Sequence, residues 1–310
     1  MGGVSMAKEK DMLESTSKIK LTTSDYVIRG IGYVFITLFA IASIFPFLII
    51  LGSSFETEDL IIAQGVTLIP RQPTTAAYEL VIKGGTIWAS YLLTIILTLV
   101  GTGCGLFICA MTGYALQRRD FPFRNGISFF VYFTSLFQAG LAPYYLLMTQ
   151  TYNLNNSYLA VLLPLMVSSW LIILMKNFAK SIPHELTESG KIDGAGDFKI
   201  FTSIVLPMLK PGLATVGLFL ALGYWNEWYQ SSLFLQNKDI LPLQYRLYKI
   251  INEAQSLKNS VASQYVTVDS LPSESLKMAT AMMTTGPIIF LYPFVQRYFI
   301  GGITVGAVKG

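Results

Sequence analysis

Six long apolar runs constrain this chain more than any other feature. They lie at about 26–53, 86–116, 125–150, 158–178, 211–235 and 278–298. An α-helix needs about 20 residues to cross the hydrocarbon core of a bilayer, and each run is near that length or above it. Inside that core every backbone N–H and C=O needs a protein partner, so such runs fold as helices. The composition agrees. Hydrophobic residues make up 53% of the chain and charged residues 13%, with mean hydropathy +0.53, whereas a soluble domain carries about 25% charge. The expected fold class is an all-α membrane protein with six transmembrane helices.

The flanks give the orientation. Fifteen of the 22 Lys and Arg residues fall on one side of the six spans and seven on the other. The richer side is expected to be cytoplasmic. It carries both termini and a polar stretch at 181–212. Residues 1–25 read as a cytoplasmic tail, 26–300 as the transmembrane domain and 301–310 as a short glycine-rich cytoplasmic tail. No cleavable signal is expected, because the first 25 residues lack an apolar core. Arg118, Arg119 and Arg124 read as topology determinants and as contacts for anionic lipid. Gly101, Gly103 and Gly105 alternate along the second run and allow close helix approach. Cys104 and Cys109 stand at a spacing that suits neither a zinc pair nor a local disulfide, so they read as packing residues.

The chemistry available is narrow. The chain has one histidine. His184-Glu185 begins like H-E-x-x-H, but Glu stands at position 188, so a zinc site lacks its second histidine. No metal site and no catalytic residue are expected. No G-x-x-x-x-G-K-[ST] loop occurs, so ATP is not held here by a P-loop.

The polar stretch Ser181–Gly212 is unusual between apolar runs. Pro183 suits the first turn of a helix, with Ser181 as its N-cap and Glu185 and Glu188 near the positive end of its dipole. That helix is expected to stop near Asp193, where Gly194-Ala195-Gly196 supplies a turn. Asp197 then caps a second helix at 198–205, whose apolar face is Phe198, Phe201, Ile204 and Val205. Pro207 and Pro211 end it and open the fifth span. The alternative is a helix lying flat on the membrane surface, but such helices are richer in Lys and Arg.

The same stretch resembles the EAA motif of bacterial ABC importer membrane subunits. Three residues separate Glu188-Ser189-Gly190 from Gly194, nine more separate Gly194 from Ile204, and Leu206-Pro207 follows after one residue. Asp193-Gly194-Ala195 is typical of the motif, and Ser189 and Gly190 replace its two alanines. TGYALQRRDFPFRN, GLAPYYLL, IPHEL, WNEW and FIGGITVGAVKG extend the likeness to carbohydrate-importer permeases, most of all those for oligo- and polysaccharide fragments. It covers nearly the whole chain from Tyr26.

The resemblance implies a type I importer permease fold with cytoplasmic coupling helices, in a bacterial cell membrane. It implies a second homologous permease, two ATPase subunits holding ATP and Mg, an extracellular solute-binding protein and a carbohydrate cargo. No cofactor is expected on this chain itself, and no nucleic-acid partner. Glu185, Glu188, Ser189, Gly190, Asp193, Gly194, Ala195 and Phe198 become the expected ATPase-coupling residues. An importer for another solute, a membrane enzyme and a channel are the rival readings.

The expected cargo path is less defined. Glu227 lies sixteen residues into the fifth span from Pro211, roughly 24 Å at 1.5 Å per residue. Trp225, Asn226 and Trp228 flank it. Two readings stay open: contact with sugar rings, or an outer belt of Trp and Tyr with Glu227 reaching headgroup water. Gln138, Tyr144 and Tyr145 in the third span are either pathway residues or packing around a kink at Gly140 and Pro143.

Overall fold

The computed structural model describes residues 22–83, 86–259 and 274–289. Among them the regular structure is helical, with one isolated antiparallel bridge between Glu56 and Pro73. Helix α1, Thr23–Ser54, opens on a capping box in which the Thr22 N–H donates to Asp25 at 2.8 Å. It starts before Tyr26 and continues unbroken through Pro46. Only Gly52, Ser53 and Ser54 are buried, at its end. An apolar, outward-facing helix of this length is a surface for lipid or for another chain.

The loop after α1 carries α2, Glu58–Gln64, and α3, Ala76–Lys83. It is pinned by Glu56, whose buried carboxylate accepts N–H groups from Arg71 at 2.6 Å and Gln72 at 2.8 Å. Burial pushes this carboxyl up, but the backbone donors of Arg71, Gln72 and Thr57 outweigh it and hold it below the usual value. Glu58 reaches the start of the last described helix, accepting from the N–H groups of Glu274 and Ser275.

Helix α4, Ile87–Gln117, is the central spar. A Cβ at Gly101 would fall 2.2 Å from the Tyr224 ring, and one at Gly105 would fall 3.0 Å from the Met166 carbonyl. Gly103 faces open space instead. Residues four apart share a helix face and residues two apart do not, so only two of the three glycines serve close packing. Cys109 is buried in this helix and Cys104 is exposed, both as free thiols.

The third span is not one helix. It is α5, Arg124–Leu136, then α6, Leu141–Leu146, which runs into a π-turn at Leu147–Thr151, with a bend of 114° between the halves. Gly140 takes φ +89° at the bend, a left-handed value that glycine alone adopts freely. The fourth span is α7, Leu159–Met166, and α8, Ser169–Ala179, with Ser168 capping the second half through the Leu171 N–H.

The polar stretch forms α9, His184–Ile192, and α10, Asp197–Ile200. A π-turn at Phe201–Val205 and α11, Leu206–Met208, continue α10. An 84° bend then leads into the fifth span, α12, Lys210–Trp225, and α13, Tyr229–Phe234. Pro207 and Pro211 sit in first turns, so they start helices as well as ending one.

The stretch between the fifth and sixth expected spans contains a further helix, α14, Leu243–Asn259. Helix α15 occupies 274–289, starting before Met278. The remainder of the sixth expected span and the tail 301–310 lie outside the described residues. So does the tail 1–25, apart from 22–25. Among the described residues, three helices are long and apolar enough to cross a membrane alone, or up to five with each bent pair taken as one span.

The largest core cluster lies at the 117 end of α4. Cys109, Ala110 and Tyr114 meet Leu171 and Met175 of α8 there, together with Ile200, Phe201 and Val205 from the polar stretch. That stretch is therefore part of the core.

Candidate functional site

Two places bring the singled-out residues together. The first is the α9–α10 segment. Ser181 does not cap α9, as its hydroxyl turns back to the Phe178 carbonyl at 2.7 Å and Pro183 takes the N-cap position. The helix ends at Ile192 with Asp193 as C-cap, as the glycine triplet suggests. The Gly194 N–H then donates to Lys191 O and the Ala195 N–H to Gly190 O, both at 3.0 Å. Gly194 has φ +76°. This is a glycine-type helix stop, in which a left-handed residue lets the next N–H groups reach back to orphan carbonyls.

Gly190 is buried, and a Cβ there would meet Ile200 and Ile204 at 3.1 Å. A small residue at this position is thus what lets α9 lie on α10. Glu185, Glu188, Ser189, Asp193 and Phe198 are exposed, and Ala195 is half-buried. Glu188 pairs with His184 at 3.0 Å. The expected apolar face of α10 is shifted. Phe198 is 62% exposed, while Ile200, Phe201, Val205 and Leu209 are buried. The π-turn at Phe201–Val205 rotates the face away from a plain 3.6-residue spacing. Ile192, at 86% exposure, and Phe198 therefore present apolar surface on an otherwise polar segment.

The short loop after α4 is fastened to this segment. Arg118 donates to Asp120 twice, at 2.8 and 2.5 Å, and pairs with Asp197 at 2.7 Å. Asp120 also takes Lys191 at 2.6 Å. The hydrogen bond from Arg118, reinforced by Lys191, holds the Asp120 carboxyl well below the usual range. The bond to Asp120 raises Arg118 further, with Asp197 adding to it against burial. Arg118 was expected to set topology and meet lipid. It is instead 15% exposed and spent on two carboxylates. Asp120 and Lys191 were missed; a basic pair followed at once by Asp in a tight loop was the available signal.

The second place is a cavity of about 750 Å³ at the break in the third span. Gln138, Gly140 and Tyr144 line it together with Tyr229 and Gln230 of α13. The Tyr144 hydroxyl donates to Gln230 Oε1 at 2.8 Å. Gln138 and Tyr144 were named from the sequence; Gln230 was not. Tyr145 packs its ring flat against Phe234 at 5.6 Å, outside the lining.

The Trp225–Trp228 group does not line that cavity. Glu227 is buried and turned onto its own chain, accepting from the Gln230 N–H and the Ser231 hydroxyl, both at 2.5 Å. From just before the Trp228 N-cap, it thus supplies acceptors to the first turn of α13, at the point where the fifth span breaks. Trp225 is buried and donates to the Thr284 carbonyl of α15 at 3.2 Å. Asn226 meets Gln244 of α14 at 3.3 Å, and Trp228 stacks on Tyr248 at 4.8 Å.

Residues 123–305 match the family described as binding-protein-dependent transport system inner membrane component. The chain is 34% identical over 278 residues to the polygalacturonan/rhamnogalacturonan transport system permease protein YtcP of Bacillus subtilis, covering 90% of this chain and 96% of that one. It is 30% identical to the arabinooligosaccharides transport system permease protein AraQ of Halalkalibacterium halodurans, over 90% of this chain and 95% of that one. Among solved structures it resembles a chain of a bacterial ABC transporter involved in the import of the acidic polysaccharide alginate. That match has a TM-score of 0.78 and 28% identity, over 91% of this chain and 100% of the other.

Proposed function

We infer the function from one premise: the chain belongs to the family of binding-protein-dependent transport system inner membrane components. It is a multi-pass membrane permease of an ATP-driven importer, and ATP hydrolysis lies with partner ATPase subunits. Its cargo is carbohydrate, of the oligosaccharide class. The observation that carries the cargo is 34% identity across nine-tenths of the chain to a permease named for pectic polysaccharides. A solute-binding protein delivers that cargo.

The finer assembly is our reading. A second, homologous permease completes the pathway, and two ATPase subunits with ATP and Mg sit beneath the basic side. Both termini are cytoplasmic. Helix α9 docks on the ATPase through its exposed residues, Glu185, Glu188, Ser189, Asp193 and, beyond the turn, Phe198. Gly190 lets α9 pack on α10, and Gly194 and Ala195 close the turn between them. ATP binding closes the ATPase pair, the α9–α10 segments move with it, and hydrolysis resets them. A short helix packed by a glycine and stopped by a left-handed turn moves as a body when its dock moves.

The cavity at Gln138, Tyr144, Tyr229 and Gln230 is a station on the cargo path. Tyrosine rings offer faces to the C–H side of sugar rings, and the two amides offer both donors and acceptors. The assembly reading is tested by co-purification. Detergent-extracted protein is expected to bring down an ATPase and a second permease; a monomer free of both overturns it.

A further inference from the structure

We propose that Lys191, Asp120, Arg118 and Asp197 form an ionic strut that makes α9 and α4 move as one body. The proposal rests on the coupling reading above. The four charges alternate in sign and each neighbouring pair is in contact. Lys191 Nζ lies 2.6 Å from Asp120, Asp120 is gripped by Arg118 at 2.5 Å, and Arg118 lies 2.7 Å from Asp197. Lys191 is in the last turn of α9 and Asp197 is the first residue of α10. The two residues between them in the chain of charges follow α4 directly. The strut therefore bridges the Asp193–Gly196 turn from outside, holding both of its ends to one spar.

That turn needs a brace. It contains the left-handed Gly194 and is closed by backbone bonds to Gly190 and Lys191. Glycine backbones flex, so an unbraced turn lets α9 swing without moving α10. Beneath the ions α4 also meets the π-turn that continues α10. Arg118 lies over the Tyr114 ring at 5.9 Å, and Tyr114 stacks on Phe201 at 5.8 Å. Movement of α9 then reaches the membrane by two routes. One follows the chain through α10 and α11 into α12. The other crosses the strut into α4, which packs on α8 and α12. The four residues are positioning residues, since they act through α9 and touch no cargo.

The test uses the complete complex in proteoliposomes, with binding protein and a labelled mixture of galacturonan and arabinan oligosaccharides. The readout is cargo imported per ATP hydrolysed, relative to wild type. Lys191→Ala and Asp197→Asn are expected to lower that ratio about three- to fivefold, the scale of one partly exposed ion pair, while stimulated ATP hydrolysis persists. Lys191→Arg is expected to keep the ratio. Uptake and hydrolysis falling in proportion point to damage to the fold, and that result overturns the proposal, as does an unchanged ratio. Gly194→Val separates the two levels. If its ratio collapses while the strut variants stay normal, the strut alone fails. If Gly194→Val also transports normally, the coupling reading fails with it.

Discussion

At the scale of single residues, the segment shows how different demands select different side chains. Gly190 is small because a Cβ there would crowd Ile200 and Ile204 at 3.1 Å. Gly194 has open space around it and is glycine for its backbone angle alone. Asp120 is selected for charge. Its carboxyl is held low in the folded chain, chiefly by the hydrogen bond from Arg118. A depressed carboxyl contributes stability that is complete above its unfolded value and is lost as pH falls through the folded one. The unfolded value is about 4. The difference in unfolding temperature between wild type and Asp120→Asn is therefore expected to be level above about pH 5 and to shrink in stronger acid. Scanning calorimetry or dye-monitored melting of the detergent complex measures it. A difference that grows on acidification contradicts the charge role.

Among elements, the breaks matter as much as the helices. The fifth span stops at Asn226–Trp228, and Glu227 supplies the acceptors for the helix that restarts at Tyr229. Glu227→Ala leaves the Gln230 and Ser231 N–H groups without that acceptor. The expected cost is about 1–2 kcal/mol, read as a lowered melting temperature. The order of preference among glycans is expected to stay unchanged. A shifted preference at unchanged melting temperature would instead assign Glu227 to the cargo. The apolar runs made the spans legible in sequence, because a helix crossing lipid needs only length and hydropathy to announce itself. A kink at Gly140 was legible, but a full stop of the helix there was not, nor was the break at Asn226. Gly140 and Asn226 do not say on their own whether a helix kinks or stops. The α9–Gly194–α10 outline was readable because prolines, acids and glycines each carry a local rule. The burial of Ile200 in place of Phe198 was hidden, because a π-turn changes the period that such a reading relies on. The Asp120–Lys191 contact joins residues 71 positions apart, beyond any local pattern.

At the scale of the whole molecule, the polar segment and the cavity are both built into one helical body. The segment buries Ile200, Phe201 and Val205 in the core at the 117 end of α4. Toward the other end Tyr224 fills the space left by Gly101, and its hydroxyl reaches the Leu162 carbonyl at 2.6 Å. Force applied at α9 thus meets tightly packed helices along the spar, and packed interiors transmit displacement because they compress little. The central claim is that a partner ATPase drives this body through α9. ATP-dependent, binding-protein-dependent uptake of labelled pectic oligosaccharides into proteoliposomes tests it most directly, comparing wild type, Gly194→Asn and Gly194→Val. Asparagine tolerates the left-handed angle and a β-branched valine does not. The account expects near-normal uptake with asparagine and loss of uptake with valine, while the valine variant still inserts and assembles. Equal uptake by all three would contradict it.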